Sequence, residues 1–271
     1  MIRSRPQRET PVKDDYPELL PQVEALARRA GAAILELYAR QENGAAPAVA
    51  YKTDASPVTA ADHAAEALIL HGLARLTPEI PVISEEAACA GRLPEPGARF
   101  WLVDPLDGTK EFIQRNGEFT VNIGLIEAGQ PVLGVVLAPV LDRLYAGAVG
   151  LGAHLATAGQ IRPLRCRAAP AEGCTVVSSR SHGDDGALTA FLAGRRVAHS
   201  ISAGSSLKLC LLASGDADLY PRLGRTMEWD IAAGHAVLRA AGGHVRTLHG
   251  TELGYGKPGL ANPHFVASGL D

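Results

Sequence analysis

The stretch Phe100-Trp101-Leu102-Val103-Asp104-Pro105-Leu106-Asp107-Gly108-Thr109-Lys110-Glu111-Phe112 decides how the rest of the chain is read. Its first four residues have the aromatic and β-branched content of a buried strand. Pro105 has no N–H to give a ladder, which predicts that the chain leaves its sheet at Asp104. Asp104 and Asp107 stand three residues apart around a turn, close enough for both carboxylates to reach one point, and Gly108 lets the backbone come close to a ligand. Two ionised carboxylates ~4 Å apart repel by about 4 kcal/mol at an effective dielectric of ~20. Their convergence needs a proton or a cation, and a divalent cation supplies the charge most simply. The same D-x-x-D-G pattern also serves as a plain turn capped by Asp104, so the remainder of the chain has to separate the two readings.

Upstream, residues 80–83 read as a short strand that ends at Ser84-Glu85-Glu86, a second sheet run stopping at acids. Glu85 is therefore a candidate third ligand, against the alternative of a solvated loop. Residues 60–76 carry Ala65, Leu68, Ile69, Leu73 and Leu76 at helical spacing. Thr59 and Asp62 ahead of them have the T-x-x-D spacing of a helix cap. Residues 19–38 are an amphipathic scaffold helix, with Leu19, Val23, Leu26, Ala30, Ile34 and Leu37 recurring at steps of four and three. A short strand is expected at residues 48–51.

Downstream, residues 119–127 and 132–138 form a hairpin about Ala128-Gly129-Gln130, and residues 143–149 add another strand. The first half thus predicts a mostly antiparallel sheet covered by the two early helices. Near Gly159 the pattern changes to alternating strands (174–178, 197–201, 217–220) and helices (184–193, 205–213). A last helix at 228–241 is closed by Gly242-Gly243, and strands follow at 244–247 and 265–268. This α+β half followed by an α/β half predicts a tail at residues 1–18, a domain at 19–158, a domain at 159–271 and a cleft between the two domains. Asp230 lies in the first turn of the last long helix, where an acid is also a favourable cap. The small residues Ala232, Ala233 and Gly234 let that helix approach a neighbour closely enough to bring Asp230 to the cleft.

With 271 residues, 46% hydrophobic and 20% charged, the chain can bury a full core. Lys plus Arg number 26 against 29 Asp plus Glu, a net charge of -3 that argues against a broad nucleic-acid-binding surface. Cys89, Cys166, Cys174 and Cys210 are far apart and match neither a disulfide framework nor a zinc knuckle, as in a cytoplasmic protein with reduced thiols. The basic N-terminus lacks the apolar segment of a secretory signal, and no apolar run reaches the ~20 residues of a membrane span.

Taken together, Ser84-Glu85-Glu86, Asp104-Pro105-Leu106-Asp107-Gly108-Thr109 and Trp229-Asp230-Ile231-Ala232-Ala233-Gly234 resemble the signature set of the inositol monophosphatase superfamily of metal-dependent phosphatases, over nearly all of the chain from residue 19 onward. That resemblance implies a layered αβαβα sandwich of the inositol monophosphatase and fructose-1,6-bisphosphatase type. Three further pieces are similar to the 3'(2'),5'-bisphosphate nucleotidase branch: Gly108-Thr109-Lys110-Glu111-Phe112, the run from Arg115 to Ile123, and Gly204-Ser205-Ser206-Leu207-Lys208. Inositol monophosphatases usually read G-T-T-N-F at the first of these, and they carry an acid shortly before W-D, where this chain has Tyr220-Pro221-Arg222-Leu223-Gly224. An arginine there suits a second phosphate.

By this resemblance Glu85, Asp104, Asp107, Asp230 and the Leu106 carbonyl bind two or three Mg2+ ions, with Mn2+ as a substitute; the donors are all hard oxygens. Thr109 and Asp62 relay the proton of a water nucleophile. Glu85, Leu106, Asp107, Gly108, Thr109 and Asp230 also face the substrate, and His182, Ser205, Lys208 and Arg222 contact the nucleotide and its uncleaved phosphate. Lys208 alone reads equally as a snorkelling surface lysine, and His182 as a solvated loop residue. The implied enzyme is a lithium-sensitive phosphatase that removes the 3'-phosphate of 3'-phosphoadenosine 5'-phosphate, and also acts on its phosphosulfate form, in sulfate assimilation. It works in the cytoplasm as a monomer or homodimer, with a small-molecule substrate as its partner. An inositol or sugar monophosphatase and a non-catalytic nucleotide or metal sensor are the alternatives.

Overall fold

A computed structural model describes residues 15–42, 49–51, 57–180 and 185–270. The chain opens with α1 (Tyr16–Glu42), the short strands β1 (Ala50–Tyr51) and β2 (Pro57–Val58), and α2 (Ala60–Leu76). Next come β3 (Val82–Ser84), α3 (Glu85–Cys89), β4 (Arg99–Asp107) and α4 (Thr109–Gln114). A meander follows: β5 (Thr120–Glu127), β6 (Gln130–Ala138), β7 (Arg143–Ala148), β8 (Gly152–Thr157) and β9 (Gln160–Leu164). The second half holds β10 (Cys174–Ser179), α5 (Asp185–Leu192), β11 (Val197–Ala203), α6 (Leu207–Ala213), β12 (Leu219–Arg222), α7 (Glu228–Ala240), β13 (His244–Thr247) and β14 (Phe265–Ser268).

Strands β3 to β9 make a seven-stranded sheet in sequence order, antiparallel except for the parallel pair β3–β4. The second sheet has the order β11-β10-β12-β14-β13. Along β4 the side chains alternate between two cores. Trp101 and Val103 join Ile34, Ile69 and the other buried residues of α1 and α2 on one face. Phe100 and Leu102 join α6, α7 and the second sheet on the other.

Strand β10 leads through α5 to its parallel neighbour β11, and β11 returns through α6 past β10 to β12. Right-handed crossovers in opposite directions put α5 and α6 on opposite faces of the second sheet. Since α6 faces inward, α5 completes the layered αβαβα sandwich.

Helix α7 lies unusually close to the first sheet. Gly124, Gly134 and Gly147 are in register across β5, β6 and β7. A Cβ at Gly124 would stand 2.8 Å from the Ala233 amide, and one at Gly147 2.9 Å from the Ala240 methyl. Gly234 on the helix's other side makes the same close approach to Leu209 of α6. The small residues of Ala232-Ala233-Gly234 and the glycine row are thus two halves of one contact, which fixes the height of α7 and of Asp230 at its start.

Several boundaries differ from the sequence expectation. Strand β4 does not end at Asp104: Asp104 pairs with Asn122 and Asp107 with Thr120, so one extra residue bulges out where Pro105 sits. A bulge is a place where a strand tolerates proline. Glu85 opens a helix rather than a loop.

Strands β8 and β9 extend the first sheet to Leu164, because Ala158 and Gly159, with φ of 47° and 75°, form a tight hairpin turn. The change of sheet therefore falls after Leu164, not at 158/159. Of the tail expected at 1–18, residues 1–14 lie outside the described residues. Asp15 and Tyr16 are anchored, by a 2.6 Å bond from Arg99 to Asp15 and a 2.6 Å bond from the Tyr16 hydroxyl to Glu127.

Replacing Gly134 with alanine forces a methyl into the Ala233 carbonyl. Thermal unfolding should show a loss of about 1–3 kcal/mol, and an unchanged midpoint would contradict the close-packed role of the glycine row.

Candidate active site

The ends of β3, β4 and β12 and the start of α7 converge on a cleft of about 610 Å3. Among the described residues, Glu85, Asp104 and Asp230 offer carboxylate oxygens within 4.8 Å of one another. Each is aimed by a different local device. Glu85 is the first residue of α3, directly after β3. Asp104 is buried at the bulge of β4, where one of its oxygens accepts the Leu106 amide at 3.1 Å. Asp230 uses one oxygen to accept the Met227 amide at 2.8 Å, as a first-turn cap, while the same carboxylate belongs to the acidic cluster. Cap and ligand geometry coexist in one side chain.

Asp107 re-enters the ladder beyond the bulge and accepts a 3.4 Å bond from Asn122. Burial pushes its carboxyl up to about 6, against the pull of the Lys208 charge and with the help of Glu85 and Glu111. Asp230 is raised well above the ordinary carboxylate range, first by burial and then by Asp107 and Glu85. Acids crowded in this way accept either protons or a cation, and the donor set is all oxygen. It fits Mg2+, and Glu85, Asp104, Asp107 and Asp230 are the residues that would hold it.

Gly108 follows with φ 94° and ψ 46°, a left-handed conformation that starts α4. The first helical residue, Thr109, donates its hydroxyl to Asp62 at 3.1 Å. The other oxygen of Asp62 accepts both the amide and the hydroxyl of Thr59 at 2.7 Å. Asp62 therefore caps α2 and grips Thr109 at once.

The second half supplies the opposite wall. The Ser205 hydroxyl sits 2.8 Å from the Asp107 carbonyl and 2.7 Å from the Glu118 carbonyl, so its single proton is already shared by protein acceptors. Lys208 is buried rather than snorkelling: its ammonium donates to the carbonyls of Ser205 and Ala203 at 2.5 and 3.3 Å. Burial lowers it to about 8, with Asp107 pulling the other way. Arg222 is buried on β12, lines the cleft and donates to the Arg225 carbonyl at 2.7 Å. His182 lies outside the described residues.

One buried carboxylate behind the site escaped the sequence reading. Glu66 is buried one helical turn beyond Asp62 on the same face of α2, and that spacing of four is the signal that points to it. One of its oxygens accepts both the Ser84 hydroxyl and the Ala87 amide, the latter at 3.0 Å. Ser84 makes no side-chain cap of its own, so Glu66 caps the helix that carries Glu85.

The family model described as inositol monophosphatase family matches residues 15–269. The 3'(2'),5'-bisphosphate nucleotidase CysQ of Salmonella typhimurium is 52% identical over 249 residues, 91% of this chain and 98% of that protein. The crystal structure of CysQ from Bacteroides thetaiotaomicron superposes with a TM-score of 0.75 at 37% identity, covering 93% of this chain and 97% of that one. An inositol monophosphatase from Anabaena gives 0.74 at 27% identity, covering 94% and 92%.

Removing the Glu66 carboxylate should loosen Glu85 without touching the cleft. Glu66→Ala should weaken Mg2+ affinity about 10-fold, read as a smaller Mg2+-induced rise in melting midpoint. Glu66→Gln keeps the accepting oxygen and should stay near the parent. Equal Mg2+ shifts in all three proteins would contradict the capping role.

Proposed function

The chain belongs to the inositol monophosphatase family, and on that premise we propose that it is a Mg2+-dependent phosphatase that hydrolyses the 3'-phosphate of 3'-phosphoadenosine 5'-phosphate to AMP and phosphate. The observation that carries this reading is the meeting of the Glu85, Asp104 and Asp230 carboxylates with the Thr109–Asp62 hydrogen bond in one cleft. Binding alone calls for the acids. A hydroxyl held by a buried carboxylate at the same spot is what hydrolysis adds, and it weighs against a sensor. The relatives named as 3'(2'),5'-bisphosphate nucleotidases support the choice of substrate.

In the reading proposed here, Glu85, Asp104, Asp107, Asp230 and the Leu106 carbonyl hold two or three ions, with Mn2+ as a substitute. When bound at these residues, Mg2+ would supply Lewis-acid polarisation of a phosphate ester and lower the pKa of a water. The Thr109 hydroxyl donates its hydrogen bond to Asp62, which leaves its oxygen lone pairs able to accept a hydrogen bond from an attacking water and to hold that water in place. The amides of Gly108 and Thr109, at the start of α4, would donate to phosphate oxygens. Arg222 and Lys208 place positive charge on the opposite wall, where it would meet the uncleaved phosphate, and Ser205 orders that wall through its two carbonyl contacts. No described helix is long and apolar enough to cross a membrane. A cytoplasmic monomer or homodimer acting in sulfate assimilation completes the proposal.

Phosphate release from 3'-phosphoadenosine 5'-phosphate and from inositol 1-phosphate, compared with Mg2+ present, tests the substrate. Preference for the nucleotide is expected, and preference for the inositol ester would overturn it. Asp107→Asn should abolish turnover with the fold intact, and Asp62→Asn should lower kcat by ~100-fold. Lithium at millimolar concentration should inhibit, and full activity in its presence would count against the site assignment.

A further inference from the structure

Outside the residues assigned above, one side chain joins the two walls of the cleft. Glu118 lies in the turn between α4 and β5, in the half of the chain that carries Asp104 and Asp107. Its carboxylate reaches into the other half. One oxygen accepts the Gly204 amide at 2.8 Å and the Arg180 Nε at 2.8 Å, and the second accepts Arg180 Nη2 at 2.8 Å. Arg180 also donates to the Ser202 carbonyl at 3.0 Å, which ties the ends of β10 and β11 into the same joint.

The main chain of Glu118 works in the same place. Its carbonyl lies 2.7 Å from the Ser205 hydroxyl, and a Cβ at Gly204 would stand 2.7 Å from that carbonyl. Ser205 itself has φ 48°, a conformation that a non-glycine residue holds only when its surroundings impose it. Burial works against a charge on Glu118, yet the bonds from Arg180 and Gly204 prevail and hold its carboxyl below the ordinary value.

We propose that Glu118 is a positioning residue for substrate specificity, a strut that sets the strained Gly204-Ser205 turn, and with it Lys208, at a fixed distance from Asp107. Lys208 depends on this turn because its ammonium donates to the carbonyls of Ala203 and Ser205. Loss of the strut lets the recognition wall relax while the acids and the Thr109–Asp62 pair, held from α2, α3, β4 and α7, keep their places. The pair Arg180–Glu118 is partly exposed, so its contribution to global stability is small and its effect is concentrated in the cleft.

The inference rests on the nucleotide bisphosphate as substrate, and the test separates the two. KM and kcat for 3'-phosphoadenosine 5'-phosphate, inhibition by inorganic phosphate and Mg2+ affinity by calorimetry are measured for the parent, Glu118→Gln and Glu118→Ala. Glu118→Ala should raise KM for the bisphosphate about 10-fold, with kcat, phosphate inhibition and Mg2+ affinity within about 2-fold of the parent. Glu118→Gln, which still accepts the Gly204 amide, should fall between the two. A lower melting midpoint with unchanged KM would mean a merely structural role and overturn the inference, as would an equal loss for inorganic phosphate. A parent chain that does not turn over the bisphosphate would overturn the substrate reading and this inference with it.

Discussion

Mutual repulsion among Glu85, Asp104, Asp107 and Asp230 is the constraint on which the rest of the molecule depends. Oxygens of Glu85, Asp104 and Asp230 lie within 4.8 Å of one another, where at an effective dielectric of ~20 each ionised pair among these three opposes the fold by about 3 kcal/mol, a large share of the roughly 5–15 kcal/mol that typically separates folded from unfolded chains. Side chains on flexible loops would swing apart. Here each acid is fixed to a rigid element: the first residue of α3, a bulge in a buried strand, the strand's last residue, and the first turn of a helix wedged between two sheets.

The same groups that crowd together also do structural work, which reduces the number of parts. Asp62 and Asp230 are both first-turn caps with one oxygen committed to the backbone. Helix α2 reaches the site twice, through Asp62 to Thr109 and through Glu66 to the start of α3. Helix α7 reaches it once, at a height set by the glycine row beneath it. Because the two sheets share one core through α6 and α7, a change in packing there is transmitted to Asp230 and to the wall that carries Lys208.

Much of this was legible in the sequence where the determinants are local. Residues 60–76 were readable because an apolar period of 3.6 coincides with the Thr59–Asp62 cap, and the β5–β6 hairpin because Ala128-Gly129 interrupts two apolar runs. The ligands were readable only jointly: any one acid serves as well for a cap or a turn. What escaped depends on partners remote in sequence. The bulge at Pro105 exists because β5 continues alongside β4, which nothing in the Asp104–Asp107 stretch announces. Helix α3 is five residues long and is capped by Glu66 from another helix, so it has neither period nor cap of its own. Strand β8 is short and built mostly from small residues, and β9 buries only its last residue, so neither presents a long apolar run to read. The burial of Lys208 follows from Tyr220 and the 203–205 turn closing over it, not from its place on α6.

If repulsion held in check by a cation is the organising principle, the cation has one place to go. Anomalous diffraction from crystals grown with Mn2+ locates it directly. Peaks bounded by the carboxylates of Glu85, Asp104, Asp107 and Asp230 are expected. Manganese found elsewhere, with those four acids left uncoordinated, would contradict it.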